Sequence, residues 1–336
     1  MARTFEDREA IREKVPLMIG LMGPSGGGKT YSALRLAGGI QRVTGGDIYM
    51  IDTEAKRGLH YADKFKFRHV PFGAPFGSLD YLEAVQYCAG KGAGVIIVDS
   101  MSHEHEGPGG LLEKHEAELN RLAGDDYKRR KSMSMLAWAK PKQERRRLIN
   151  TLLQLPVNFI FCFRAKEKIK MVKGDDPQQM GFMPIAGEEF VFEMTANCLL
   201  LPNAGGVPTW DSGELGERLM IKLPEQFKAM FRESVPLSEQ LGQSMAQWAA
   251  GSPIGTVQSA SSGAHYEELI ATIAKAMTLT ELDALVPSLA NIKETRSMPS
   301  KEYNALRAAW GAKKKQIEEQ GGYSDAAERD AIAEAS

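Results

Sequence analysis

The apolar residues of this chain fall into short runs, which alternate with stretches of helical periodicity between residue 15 and about residue 202. Each run is rich in β-branched or aromatic residues, as expected for a strand buried on both faces. The runs are residues 15–22, 48–51, 95–98 and 157–163, with a fifth candidate at 196–201. Strands that alternate with helices predict an α/β fold in which helices cover both faces of a mostly parallel sheet.

Beyond residue 202 the sequence becomes irregular and Gly-rich. It then predicts a short extended segment at residues 218–223 and a helix around residues 237–250. We interpret both as the closing edge of the same domain, which therefore spans residues 1–250.

A change of composition follows this domain. Residues 251–264 are small and polar, which predicts a flexible linker because they bury little apolar area. Helical spacing of Leu, Ile and Ala predicts a small helical module over residues 265–320, with helices at 265–277, 280–289 and 300–319 and Thr280 as an N-cap. Residues 321–336 contain four acidic residues and one arginine, which predicts a mobile acidic tail.

Composition narrows the class of protein. Hydrophobic residues make up 43% and charged residues 25% of the 336 residues, and the formal net charge is −1. A globally basic nucleic-acid binder is therefore excluded, and any nucleic-acid surface must be local. The three cysteines show no paired spacing, which favours a reducing cytoplasm over a disulfide framework or a zinc knuckle. Because no run of about 18 apolar residues occurs, we expect no membrane span.

Residues 23–30, Gly-Pro-Ser-Gly-Gly-Gly-Lys-Thr, form a complete Walker A motif between a predicted strand and a predicted helix. Backbone N–H groups of such a loop, together with the helix N-terminus, bind phosphate oxygens. Lys29 is placed to reach the β and γ phosphates of ATP, and Thr30 to place its hydroxyl on Mg²⁺. The predicted nucleotide-binding residues here are Gly23, Pro24, Ser25, Gly26, Gly27, Gly28, Lys29, Thr30 and Tyr31.

Two further strands end in carboxylates at the same predicted edge of the sheet. The run at residues 94–100 ends in Asp99, which suits a Walker B carboxylate that holds Mg²⁺ through water. The run at residues 49–54 ends in Asp52, Thr53 and Glu54. An alternative for Asp52 and Glu54 is that they only cap the following helix.

The Asp-Thr-Glu sequence after the second core strand, together with the Val-Asp-Ser end of the Walker B strand, resembles the RecA/RadB recombinase core. The resemblance implies that Glu54 polarises the attacking water and that Tyr61 stacks on adenine, although a helical tyrosine is more often core or surface. It also implies that the strand predicted at residues 157–163 is the sensor strand, whose terminal polar residue contacts the γ-phosphate. Arg164 stands at that position, where the family usually has Gln. Arg164 then either contacts the γ-phosphate or holds a carboxylate.

Nine basic residues and one acid, Glu144, occupy residues 128–147. Such a local positive field suits DNA phosphates, with Trp138 as a candidate stacking partner, although a solvated helix face explains it equally. After the sensor strand, alternating lysines share one face of an extended chain. By resemblance this is the DNA-binding loop, or it reaches the ATP of a neighbouring subunit; the alternative is a surface hairpin. The candidate DNA-binding residues are Lys140, Lys142, Arg145, Arg146, Arg147, Lys166 and Lys168.

His103, Glu104, His105 and Glu106 follow the Walker B strand, with His115 further on. This composition suggests a metal site, but Gly107 and the following Pro-Gly-Gly break the backbone there. We therefore expect no metal bound by these histidines.

The core from residue 16 to about residue 250 resembles the RecA-like ATPases of bacteriophages and prophages, and residues 266–319 resemble C-terminal segments of phage recombination and single-strand-annealing proteins. The resemblance implies a DNA-dependent ATPase of recombination or annealing in the cytoplasm of a bacterial host. It would bind single-stranded DNA as a homo-oligomeric ring or filament, and a protein partner through its C-terminal helices or tail. A nucleotide-gated DNA-binding scaffold with little hydrolysis is an alternative, as is a small-molecule kinase or a DNA-packaging motor.

Overall fold

The computed structural model of the protein describes residues 7, 9, 15–171, 177–210, 212–231, 234–251, 260–286, 289 and 300–333. The chain divides into two units, Met1–Ile254 and Gly255–Ser336. Among the described residues, no helix is both long and apolar enough to span a bilayer.

The first unit is built on a seven-stranded sheet. Six strands follow the order β3-β2-β4-β5-β1-β7 with every neighbouring pair parallel, and β6 pairs antiparallel with β5. The predicted α/β fold with a mostly parallel sheet is confirmed. The strands are β1 Met18–Gly23, β2 Asp47–Asp52, β3 Arg68–Pro71, β4 Ala93–Asp99, β5 Asn158–Lys170, β6 Gln178–Pro184 and β7 Ala196–Leu199.

Helices cover both faces of this sheet, and the alternation of side chains along β5 shows the two layers. Phe159, Phe161 and Phe163 are buried in one core, whereas Ile160 and Cys162 are buried in the other. The helices of this unit are α1 Lys29–Thr44, α2 Ser78–Gly90, α3 His103–Glu106, α4 Leu111–Ala123, α5 Tyr127–Ala137, α6 Ala139–Gln154, α7 Glu188–Phe192, α8 Leu215–Met220, α9 Glu225–Lys228 and α10 Glu239–Ala249, with a 3-10 turn at Arg57–Tyr61.

The last helix of the unit, α10, packs against the first, α1. Arg35 Nε of α1 donates to Glu239 Oε2 of α10 at 3.0 Å, and the backbone N–H of Val15 donates to the carbonyl of Ala249 at 3.0 Å. Leu36 lies in the same buried cluster as residues of α10. The two ends of the unit are therefore joined beside the P-loop helix.

Two strands and one helix differ from the sequence prediction. Strand β3 was not predicted, β6 was predicted only through the surface-hairpin alternative, and residues 218–223, predicted as extended, include the second half of α8. Tertiary contacts stabilise this helix, because the Glu217 carboxylate accepts a hydrogen bond from the backbone N–H of Phe182 in β6 at 2.6 Å and Met220 is buried. Only Lys222 of that segment bridges to a strand residue, Asn197.

The second unit contains α11 Ala260–Lys275, α12 Leu279–Asp283 and α13 Ser300–Ala333, with Leu269, Leu282 and Leu306 buried between them. Residues 252–259 of the predicted linker lie outside the described residues, and the rest of it from Ala260 is helical, contrary to the prediction. Thr278 caps α12 in a capping box with Glu281, so the predicted cap at Thr280 is wrong. The predicted acidic tail is helical up to residue 333.

Candidate nucleotide-binding site

The P-loop lies between the end of β1 and the start of α1 and depends on glycine at two positions. Gly28 is the N-cap of α1 with φ 90°, a conformation that favours glycine. At Gly27 a Cβ would lie 2.5 Å from the carbonyl oxygen of Leu200, so the loop approaches the chain after β7 too closely for any side chain. The loop therefore presents backbone, with few side chains, at the N-terminus of a 16-residue helix.

Lys29 lies across the loop that precedes it. Its Nζ donates to the carbonyl oxygens of Gly23 at 2.8 Å and Pro24 at 2.7 Å. Burial lowers the pKa of Lys29, and the Arg164 guanidinium lowers it further, while Asp99 and Glu54 act in the opposite direction. The ammonium group is thus held at the mouth of the loop, where an anion would be its natural partner.

Thr30 and Asp99 meet beneath the loop. The Thr30 hydroxyl donates to Asp99 Oδ2 at 2.5 Å, and Asp99 is 5% exposed at the end of β4. Burial raises the pKa of Asp99 to about 6, although the hydrogen bond from Thr30 opposes the rise. A hydroxyl and a buried carboxylate side by side are oxygen ligands of the kind that Mg²⁺ takes together with substrate phosphates. The residues present therefore fit a magnesium ion.

Asp52 is the last residue of β2 and Glu54 lies two positions beyond it, and the two carboxylates have different roles. The buried Asp52 carboxylate accepts from the backbone N–H groups of Glu54 at 2.7 Å and Gly58 at 3.0 Å, and lies 2.9 Å from His69 Nε2. The Asp52 carboxylate thus supports the 3-10 turn through the N–H of Gly58, although the N-cap residue of that turn is Lys56. The capping alternative does not hold for Glu54, whose side chain turns toward the P-loop.

Glu54 is held by Arg164 in a two-point ion pair. Arg164 Nε donates to Glu54 Oε1 at 2.8 Å, and Arg164 Nη2 donates to Glu54 Oε2 at 2.5 Å. Arg57 Nη1 lies 3.8 Å from the same carboxylate and is much more exposed. Of the two alternatives for Arg164, the structure shows it holding a carboxylate.

A cleft of about 560 Å³ joins these groups, within the range of small-molecule sites. Tyr61 lines it, and the Tyr61 ring lies 5.8 Å from that of Tyr31, centroid to centroid. The residues that sequence reasoning did not assign to this site include Arg57 and His60, on the 3-10 turn directly after Glu54, and Glu106. The lining residues are Ser25, Gly26, Gly28, Lys29, Thr30, Glu54, Arg57, His60, Tyr61, Asp99, Glu106, Arg164, Ala165 and Ile185; Gly23, Pro24, Gly27 and Tyr31 are not among them.

Comparison with known families decides the class of this site. Residues 15–198, more than half of the chain, match the model of a family described as AAA domain. The chain belongs to the AAA domain family. The match covers β1 through most of β7 and includes every residue that lines the cleft. A comparison with curated proteins found no match.

One candidate DNA-binding residue of this AAA domain is buried, and that prediction is wrong. Arg145 is 2% exposed and donates to both oxygens of Glu104, from Nε at 3.0 Å and from Nη2 at 2.6 Å. It also donates to Glu189 at 3.2 Å and lies 3.0 Å from His105 Nδ1. On α6 it shares the buried helical face of Leu148, so it cannot contact DNA in this state.

The other candidates on α6 lie on the surface. Lys140, Lys142, Arg146 and Arg147 are exposed. Trp138, the candidate stacking partner, already packs on the His115 ring with centroids 4.0 Å apart. A DNA contact by these cations stays a prediction.

Lys166 and Lys168 are exposed on the hairpin of β5 and β6, which is the surface-hairpin alternative. Lys166 Nζ lies 3.5 Å from Glu106 Oε2, which links the base of the hairpin to the lining of the cleft. Their role in DNA binding also remains a prediction.

The His103–Glu106 segment forms α3 of the AAA domain, and its side chains have partners within the protein. His103 Nδ1 lies 2.7 Å from the Thr53 hydroxyl, and its ring stacks on Phe76 at 4.9 Å. Glu104 accepts from Arg145 and from the Ser78 hydroxyl at 2.5 Å. Within the described part of the chain, no three His, Cys, Asp or Glu residues are arranged to hold a metal ion.

Proposed function

We propose that this AAA domain hydrolyses ATP with Mg²⁺ and couples that activity to single-stranded DNA, as a homo-oligomer acting in recombination or strand annealing. The observation that supports hydrolysis is the convergence of Lys29, Thr30, Asp99 and Glu54 on one cleft. A cation, two oxygen ligands for a metal ion and a carboxylate that can act as a base are the groups that phosphoryl transfer to water requires.

Each of these residues has a distinct part in the proposed reaction. The P-loop N–H groups and Lys29 bind the phosphates, and Thr30 and Asp99 would hold a magnesium ion, which would offset negative charge of the phosphates. Glu54 accepts a proton from the attacking water molecule while the water oxygen bonds to the γ-phosphorus. The bond from the γ-phosphorus to the bridging oxygen breaks, and ADP and inorganic phosphate leave.

Exposed cations and the resemblance to RecA-like phage ATPases support the DNA part of the proposal. Lys140, Lys142, Arg146 and Arg147 form a positive surface on a chain whose net charge is −1, and the β5–β6 hairpin adds further exposed lysines. Contacts of this kind bind phosphates without sequence preference and weaken with salt. The resemblance supports the oligomer, and a protein partner for the second unit.

A nucleotide-gated scaffold with little hydrolysis is a second candidate, and the Arg164–Glu54 ion pair favours it. Both Glu54 carboxylate oxygens, which would take the proton from water, are already occupied by hydrogen bonds from Arg164. If the pair persisted with ATP bound, the protein would bind nucleotide and turn it over slowly.

Steady-state ATPase activity with and without single-stranded DNA separates the two candidates. We expect Lys29→Ala to abolish ATP binding, because the phosphates lose the P-loop cation, and Glu54→Gln to retain binding and lose turnover. Nucleotide affinity in Lys29→Ala equal to that of the wild type would contradict the site. Near wild-type turnover in Glu54→Gln would contradict Glu54 as the base, and slow turnover by the wild-type protein, unchanged by DNA, would favour the scaffold.

A further inference from the structure

The Arg164–Glu54 ion pair occupies the part of the cleft where hydrolysis would take place. Arg164 lines the cleft together with Lys29 and Thr30, and it is close enough to Lys29 for its charge to lower the pKa of the ammonium group. Its side chain is 42% exposed, whereas that of Glu54 is 14% exposed. The guanidinium is thus the more accessible partner.

The position of Arg164 in the sheet explains why it lies between two possible anionic partners. It is carried by β5, the strand between β1, which leads into the P-loop, and β4, which ends in Asp99. Its backbone is fixed, because its N–H donates to the Ser102 hydroxyl at 2.9 Å and its carbonyl accepts from the N–H of Ile185 at 2.8 Å. The Arg164 side chain can therefore change its partner while its backbone stays in place.

A terminal phosphoryl group competes well for such an arginine. It carries about 1.5–2 negative charges and three acceptor oxygens, against one charge and two oxygens for Glu54. Arg binds phosphate and carboxylate with the same two-point geometry, so exchange costs little in hydrogen bonds. ADP has no group at the γ position and offers Arg164 no such replacement.

We propose that Arg164 exchanges between Glu54 and the γ-phosphate of a bound nucleoside triphosphate, so that Glu54 is released as a base only when a triphosphate fills the cleft. The inference rests on the proposed function, since it assigns regulation to the same site. The cleft with no triphosphate, or with ADP, keeps Glu54 paired. Arg164 is then also the side chain that distinguishes triphosphate from diphosphate.

Arg57 provides a matched control for this inference. It lines the same cleft and approaches Glu54, but with a single contact of 3.8 Å and a side chain 71% exposed. Removal of Arg57 therefore deletes one positive charge from the site without deleting a two-point ion pair.

The test measures the affinities of ADP and of a non-hydrolysable ATP analogue, both with Mg²⁺, by calorimetry on the full chain. We expect Arg164→Ala to lower the preference for the analogue over ADP by about tenfold or more, because charge-assisted hydrogen bonds are lost only with the triphosphate. Arg57→Ala should change that preference less than about threefold. Arg164→Lys, which keeps the charge without the two-point geometry, should fall between them.

A double-mutant cycle separates exchange from simple charge repulsion. Glu54→Gln removes the charge and one acceptor of the pair and so weakens the hold on Arg164, which should tighten analogue binding and leave ADP binding unchanged in the wild-type background. In the Arg164→Ala background the gain should disappear. A gain that persists there would show that Glu54 only repels the phosphate and would overturn the inference, as would an equal loss of ADP and analogue affinity in Arg164→Ala. Unchanged binding in Lys29→Ala would instead refute the nucleotide site itself, so the two failures are distinguishable.

Discussion

Removal of the Arg145 side chain should destabilise the first unit strongly, although sequence reasoning placed this residue on a DNA-binding surface. Arg145→Ala deletes four contacts at once: two with Glu104, one with Glu189 and one with His105. Glu104 would be left as a carboxylate with a side chain 4% exposed, without its counter-charge. The contacts join α6 to α3 and α7, so no single helix can relax to restore them.

The size of the effect follows from this burial. Breaking a buried ion pair by removing one partner costs about 3–5 kcal/mol, because an uncompensated charge remains. For a unit of this size 1 kcal/mol lowers the melting temperature by about 2–4 °C, so the expected fall is roughly 10 °C. Replacing Glu104 and Arg145 together by Met should recover much of the loss, since neither charge then stays buried.

Thermal unfolding followed by circular dichroism checks this prediction, with Arg146→Ala as the matched control. Arg146 is the next residue on α6 and is exposed, so its removal should change stability by less than about 0.5 kcal/mol. An Arg145→Ala protein that melts within about 2 °C of the Arg146→Ala protein would refute the burial argument. So would a double Met variant less stable than Arg145→Ala alone.

Two further predictions concern the DNA surface and the second unit. Replacing Arg146 and Arg147 by Ala should weaken single-stranded DNA binding and reduce the slope of log affinity against log salt by about 0.7 for each lost phosphate contact; a slope equal to that of the wild type would return these residues to a solvated helix face. Truncation after Gly251 should leave a folded ATPase and impair only annealing or partner recruitment, because the cleft lies wholly in the first unit. A large fall in melting temperature together with lost hydrolysis would show one integrated fold instead.

The strands that carry the site were predictable because each combines an apolar run with a motif at its end. β1 leads into the P-loop, β4 ends in Asp99, and β2 ends beside Glu54, so composition and chemistry indicate the same edge of the sheet. Strand β3 gives no such signal, because it is a four-residue edge strand that contains Arg68 and ends in Pro71. Strand β6 begins with two glutamines and is interrupted by Gly181, and its pairing depends on the extension of β5 beyond the parallel sheet.

The burial of Arg145 could have been predicted from helical periodicity, although the number of basic residues around it suggested an exposed surface. Pro141, Arg145, Leu148 and Leu152 recur at helical spacing and are all buried, so the phase of α6 separates Arg145 from its exposed neighbours. The partner, Glu104, was not predictable, because 41 residues separate the two and only the tertiary fold brings them together. The pairing of Glu54 with Arg164 was not predictable for the same reason. The two residues are 110 positions apart, and only knowledge of the strand order would have placed them side by side.

The packing of α10 on α1 has a consequence for synthesis of the chain. Arg35 and Glu239 are 204 residues apart, so a ribosome that adds about 5–20 residues per second needs roughly 10–40 s to supply the partner of the P-loop helix. Until then, the apolar face of α1 that includes Leu36 lacks the cover of α10. A recombinant fragment cut at the limits of the family match, residues 15–198, would lack α10 altogether and so leave this face of α1 permanently uncovered. We expect that fragment to aggregate, whereas a fragment that ends after α10 should stay in solution.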